Sequence, residues 1–171
     1  MNIPIYPLRF RPIYKERPWG GEKLRTVLGK ESPPHLKIGE SLEISDRGTD
    51  ATTVAAGPYA GEPLHRLMEK MGKLLLGDHV LSRHPKRFPL LFKILDVEAL
   101  LSLQVHPPDD YPRLGPGEEG KSEFWYVLAA SPGTSVFCGL KEGVDKRTFK
   151  RLLEERRVEK ILGEYTIADG A

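Results

Sequence analysis

Phe88-Pro89-Leu90-Leu91-Phe92-Lys93-Ile94-Leu95-Asp96-Val97-Glu98-Ala99-Leu100-Leu101-Ser102-Leu103-Gln104-Val105-His106 holds two strand-like runs, 88–95 and 99–106, with no helix between them. A third run spans Glu123 to Ala129, and the turn Ser131-Pro132-Gly133 leads into a fourth at Thr134 to Cys138. Parallel neighbours need long crossover connections, so these runs predict antiparallel pairing and a mainly β fold. Working outward, Leu42 and Ile44 alternate with Ser41, Glu43 and Ser45, and Thr52 to Ala56 is a second β-like run; together they predict a strand pair. After Pro63, Leu64, Leu67, Met68, Met71, Leu74 and Leu75 recur at helical spacing until Gly77, and such a stripe is a face for packing on a core. Residues 78 to 88 are polar and basic and predict a solvated loop. Asp145 can cap a peripheral helix over 145–162, after which 164–168 starts like another strand. Residues 1–20, with four prolines, read as an extended N-terminal arm of a single domain over 1–171.

Composition narrows the class of function. The 171 residues suit one globular domain, and 17 glycines with 15 prolines argue for many turns between short strands. Twenty-six Lys and Arg against 24 Asp and Glu leave a formal charge of +2, too small to attract nucleic acid or an anionic membrane over distance. The single cysteine, Cys138, rules out an intrachain disulfide framework and is expected to be a small core residue. No apolar stretch approaches the ~18 residues that span a bilayer, and a cytoplasmic location is expected.

Chemistry concentrates in two segments. In 101–106 the alternation puts Ser102, Gln104 and His106 on one strand face; in 121–127, Lys121 and Glu123 share a face. The pattern allows two opposite meanings. Either the leucines and Val105 face the core and the polar side chains meet water, or the polar faces turn into a barrel interior. In the second case His106, Gln104 and Glu123 supply one nitrogen and two oxygen ligands, a set suited to zinc or a similar divalent ion. Lys121 and Ser102 would then stand beside them as donors to an anion, a cluster fitted to a phosphorylated, oxygen-rich small molecule. His65, on the helix, reads as a partly exposed residue without a ligand role.

The order Ser102-Leu-Gln104-Val-His106-Pro107 followed by Lys121-Ser-Glu123-Phe-Trp125-Tyr126 closely resembles the zinc-dependent type I mannose-6-phosphate isomerases (phosphomannose isomerases) of the cupin superfamily. Lys15-Glu16-Arg17-Pro18-Trp19-Gly20-Gly21, Gly39-Glu40-Ser41 with Glu43-Ile44-Ser45, and 88–96 resemble the short bacterial members. The resemblance implies a cupin jelly roll of antiparallel sheet with two or three peripheral helices, incomplete toward its C-terminus. It implies zinc on Gln104, His106 and Glu123, and Ser102 and Lys121 near the phosphate of the substrate. The implied reaction interconverts mannose 6-phosphate and fructose 6-phosphate, moving a proton between adjacent carbons. Family members carry a further zinc-binding histidine and a substrate arginine in segments with no counterpart here. The expectation is therefore an isomerase or its N-terminal portion, pairing as a homo-oligomer or with a complementing chain. The alternative is a non-catalytic cupin module that binds a sugar phosphate or assembles with a partner.

Overall fold

The computed structural model describes residues 4–116 and 118–171. The chain forms two compact units, one reaching to Leu103 and one running from Gln104 to Ala171. The first contains β1 (Phe10–Arg11), β2 (Ile13–Gly21), α1 (Lys23–Thr26), β3 (Ile38–Ile44), β4 (Thr53–Val54), α2 (Leu64–Arg83) and β5 (Phe92–Leu95). The second contains β6 (Ser135–Leu140), α3 (Lys146–Glu154), a 3-10 turn (Val158–Ile161) and β7 (Leu162–Thr166). Every strand pair is antiparallel, so the mainly β reading with peripheral helices holds.

In the first unit β3 is the central strand of a three-stranded sheet, with β2 and β5 on its flanks. The arm is thus more than an extended cover: its second half is a nine-residue strand, set by Ile13↔Leu42 and Lys15↔Glu40. A register shift after Lys15 relaxes the pairing where Pro18 cannot donate. Gly20 and Gly39 permit the close approach beyond it, since a Cβ at Gly20 would lie 2.4 Å from the Gly39 nitrogen. The expected pair between 38–45 and 52–56 does not form as such. β4 instead joins β1, with Phe10 opposite Val54, because Val54 is apolar and finds its burial against the helix. Val54, Leu67 and Met71 make the core there, with Leu8, Phe10, Tyr59 and Leu75 packed around them.

Of the helix stripe, Leu64, Leu67, Met68 and Met71 are buried, whereas Leu74, beyond the break at Met71, is 53% exposed; His65 is about half exposed. Gly77 breaks the helix with φ 70°, but the chain re-enters helical geometry as far as Arg83, so much of the expected 78–88 loop is helical. Breaks at Met71 and Gly77 turn Leu81 back onto Gly72, where a Cβ would sit only 3.2 Å from the Leu81 Cδ1.

In the second unit β6 and β7 form a two-stranded sheet through Val136↔Tyr165 and Phe137↔Glu164. The helix expected over 145–162 ends at Glu154, because Arg156 takes φ 57° and the apolar stripe stops at Leu153. Cys138 is exposed rather than buried, on the outer half of β6. The runs 99–106 and 123–129 belong to no sheet. Their backbones make only scattered bonds, such as the Val127 N–H to the Ala171 carbonyl and the Gly170 N–H to the Val127 carbonyl, both 2.8 Å. Alternation assigns side chains to faces, whereas a ladder needs a continuous neighbouring backbone.

Candidate functional site

The two polar segments meet within the second unit. The Lys121 N–H donates to the Pro107 carbonyl at 3.0 Å, which sets the residue after His106 beside the start of the acidic segment. The join is tight: a Cβ at Gly120 would lie 2.3 Å from the Asp109 nitrogen, so only glycine lets the two backbones touch. From that crossing the period-two alternation turns Lys121, Glu123 and Trp125 to one side.

There His106 Nε2 lies 3.0 Å from Glu123 Oε2. The Lys121 ammonium forms an ion pair with the same Glu123 oxygen and approaches His106 Nε2 at 3.3 Å. An imidazole nitrogen, a carboxylate oxygen and an ammonium thus lie within hydrogen-bonding reach of one another. The Trp125 indole N–H donates to the other carboxylate oxygen, Glu123 Oε1, at 2.5 Å, holding the carboxylate's rotation. Of the three side chains that of Glu123 is the most enclosed, at 17% exposure against 30% for His106, although both residues taken with their backbone are exposed.

Three of the five expected residues, His106, Lys121 and Glu123, are thus brought together. Gln104 is exposed and makes no hydrogen bond with them, and Ser102, also exposed, belongs to the preceding unit. Trp125 received no role from the sequence, although its place two residues after Glu123 already put it on the same face.

The donor chemistry fits a divalent ion as two of its ligands. One imidazole nitrogen and one carboxylate oxygen, close together and beside a positive charge, are what zinc takes at ~2.0–2.2 Å each. Among the described residues no group of three His, Cys, Asp or Glu side chains converges.

These strands and helices are those of a cupin fold. The crystal structure of mannose 6-phosphate isomerase from Bacillus subtilis superposes with a TM-score of 0.83 at 32% identity, over 96% of this chain and 51% of that one. A family model described as phosphomannose isomerase type I, catalytic domain, matches residues 8–136, and the chain belongs to that family. Among similar proteins of Bacillus subtilis (strain 168), the probable mannose-6-phosphate isomerase GmuF is 34% identical over 96% of this chain. Mannose-6-phosphate isomerase ManA is 32% identical over 96% of it. The chain spans about half the length of both, 50% in each case.

Proposed function

We propose that the chain is a metal-dependent isomerase interconverting mannose 6-phosphate and fructose 6-phosphate, or the portion of one that carries the first metal-binding segments. The observation that carries this reading is the 3.0 Å approach of His106 Nε2 to Glu123 Oε2 beside one cation, in a chain of this family. Zinc is the proposed ion, held by His106, Glu123 and Gln104. It would supply positive charge to the substrate oxygen that becomes negative as a proton moves between adjacent carbons. Trp125 keeps Glu123 oriented by its indole hydrogen bond. Lys121, already paired with the Glu123 carboxylate, is the proposed cationic donor to the phosphoryl group, and Ser102 is assigned there on the resemblance alone. The proposed compartment is the cytoplasm, in keeping with a single cysteine. The proposed partner is a second copy or a complementing chain, because Phe124 at 84% exposure and Trp125 at 51% leave large aromatic surface uncovered.

Metal analysis and a coupled assay for fructose 6-phosphate formation test this reading. Purified protein should hold about one zinc per chain, and activity should vanish with a chelator and return with metal. The Gln104→Ala, His106→Ala double variant should lose the metal and keep its circular dichroism spectrum. Metal-loaded protein that binds the sugar phosphate without turnover would favour the non-catalytic module instead.

A further inference from the structure

A residue without a functional group stands where the two polar segments cross. Gly120 precedes Lys121 and packs on the backbone just beyond His106. A Cβ built there would meet the Pro108 carbonyl carbon and the Asp109 nitrogen, and would lie 2.7 Å from the Pro107 oxygen. That oxygen is the one that accepts the Lys121 N–H at 3.0 Å. The crowding would therefore fall on the bond that joins the segments.

The backbone that Gly120 touches does not give way cheaply. Pro107 and Pro108 have φ fixed by their rings, and the turn after them is closed by the Tyr111 N–H on the Pro108 carbonyl at 3.1 Å. His106 stands before Pro107, and a residue in that place is kept out of the helical region. Gly120 itself has no positive φ, so its missing side chain supplies close approach and not conformational freedom. A side chain at 120 would push Lys121, and Glu123 with it, away from His106. The separation would act directly on the candidate site, where His106 Nε2 is 3.0 Å from Glu123 Oε2 and 3.3 Å from Lys121 Nζ. Gly115 makes the contrast. A Cβ there would come no closer than 3.3 Å, and only to the end of the flexible Glu118 side chain.

We propose that Gly120 is a positioning residue for the His106–Glu123 pair: its lack of a Cβ seats Lys121 on Pro107 and so brings the imidazole within reach of the carboxylate. The inference rests on the isomerase reading for the ion that the pair holds, and on backbone geometry for the positioning.

Gly120→Ala tests it, with Gly115→Ala as the control for an ordinary glycine replacement. In metal-free protein, nuclear Overhauser spectra should connect the His106 ring with the Lys121 ε-methylene in the parent and in Gly115→Ala, and should lose that signal in Gly120→Ala. The cross-strand contact of Val136 with Tyr165, in the same unit, should persist in all three, which a general loss of structure would not allow. Zinc affinity, read by competition with a chromophoric chelator, should fall at least about tenfold in Gly120→Ala and stay unchanged in Gly115→Ala. Should Gly120→Ala also lose the Val136–Tyr165 contact, one glycine inserted between Gly120 and Lys121 decides. It adds no Cβ at the crossing but moves Lys121 out of line with Pro107, so it should weaken zinc by as much; zinc affinity equal to the parent's would overturn the proposal. So would a His106–Lys121 signal kept in Gly120→Ala, or equal effects of the two alanines. A parent chain that shows the signal but holds no zinc would count against the metal reading alone, because the metal-free spectra decide the positioning.

Discussion

Asp96 shows how one side chain ties distant segments together. It is 5% exposed and accepts the Lys23 N–H at 2.5 Å, satisfying a backbone donor at the start of α1 from a point 73 residues along the chain. Asp96→Ala should destabilise the protein by about 1–3 kcal/mol in urea unfolding, because that donor loses its acceptor in a part-buried site. A loss below about 0.5 kcal/mol would mean that water replaces the carboxylate without cost. At the candidate site, the pairing of His106 with Glu123 was legible as two polar strand faces, but their meeting depends on the Lys121–Pro107 backbone bond, which no alternation pattern specifies. The part played by Trp125 was legible in face but not in function, since an indole packs as readily as it donates.

At the scale of elements, α3 begins where its sequence says it should. The Asp145 carboxylate accepts the Thr148 N–H at 2.7 Å, and that backbone hydrogen bond, joined by the Thr148 side chain, lowers its pKa below the ordinary 3.8. A lowered folded pKa means that the carboxylate's contribution is present above the unfolded value and is lost as pH falls through the folded one. Helical ellipticity should therefore drop as the pH passes below 3.8, and Asp145→Asn, which retains an acceptor but cannot titrate, should flatten that part of the curve. A drop of equal size in the asparagine variant would assign it to other carboxylates. The ends of elements were less legible than their starts. The break at Gly77 was signalled, but the helical re-entry to Arg83 rests on Leu81 packing against Gly72, a contact between residues nine apart.

For the whole molecule, the exposed aromatic and aliphatic side chains of the second unit are the feature to test. Phe124 is 84% and Val105 83% exposed. Light scattering after size exclusion should give a mass above 19.2 kDa that rises with concentration, and Phe124→Ser with Val105→Thr should bring it back toward the single chain. A monodisperse species at 19.2 kDa across concentrations would overturn the proposed pairing. By itself the sequence determined the antiparallel β class, the helix on 64–76, the turn at Gly133 and the residues bearing metal-type donors, because period, cap and turn chemistry are local properties. Only the tertiary structure decided that β1 pairs with β4, that 99–106 and 123–129 join no sheet, and that His106, Lys121 and Glu123 close on one another. Ladder pairing and side-chain convergence depend on which backbones become neighbours, and that is settled by burial across the chain rather than by any short run of residues.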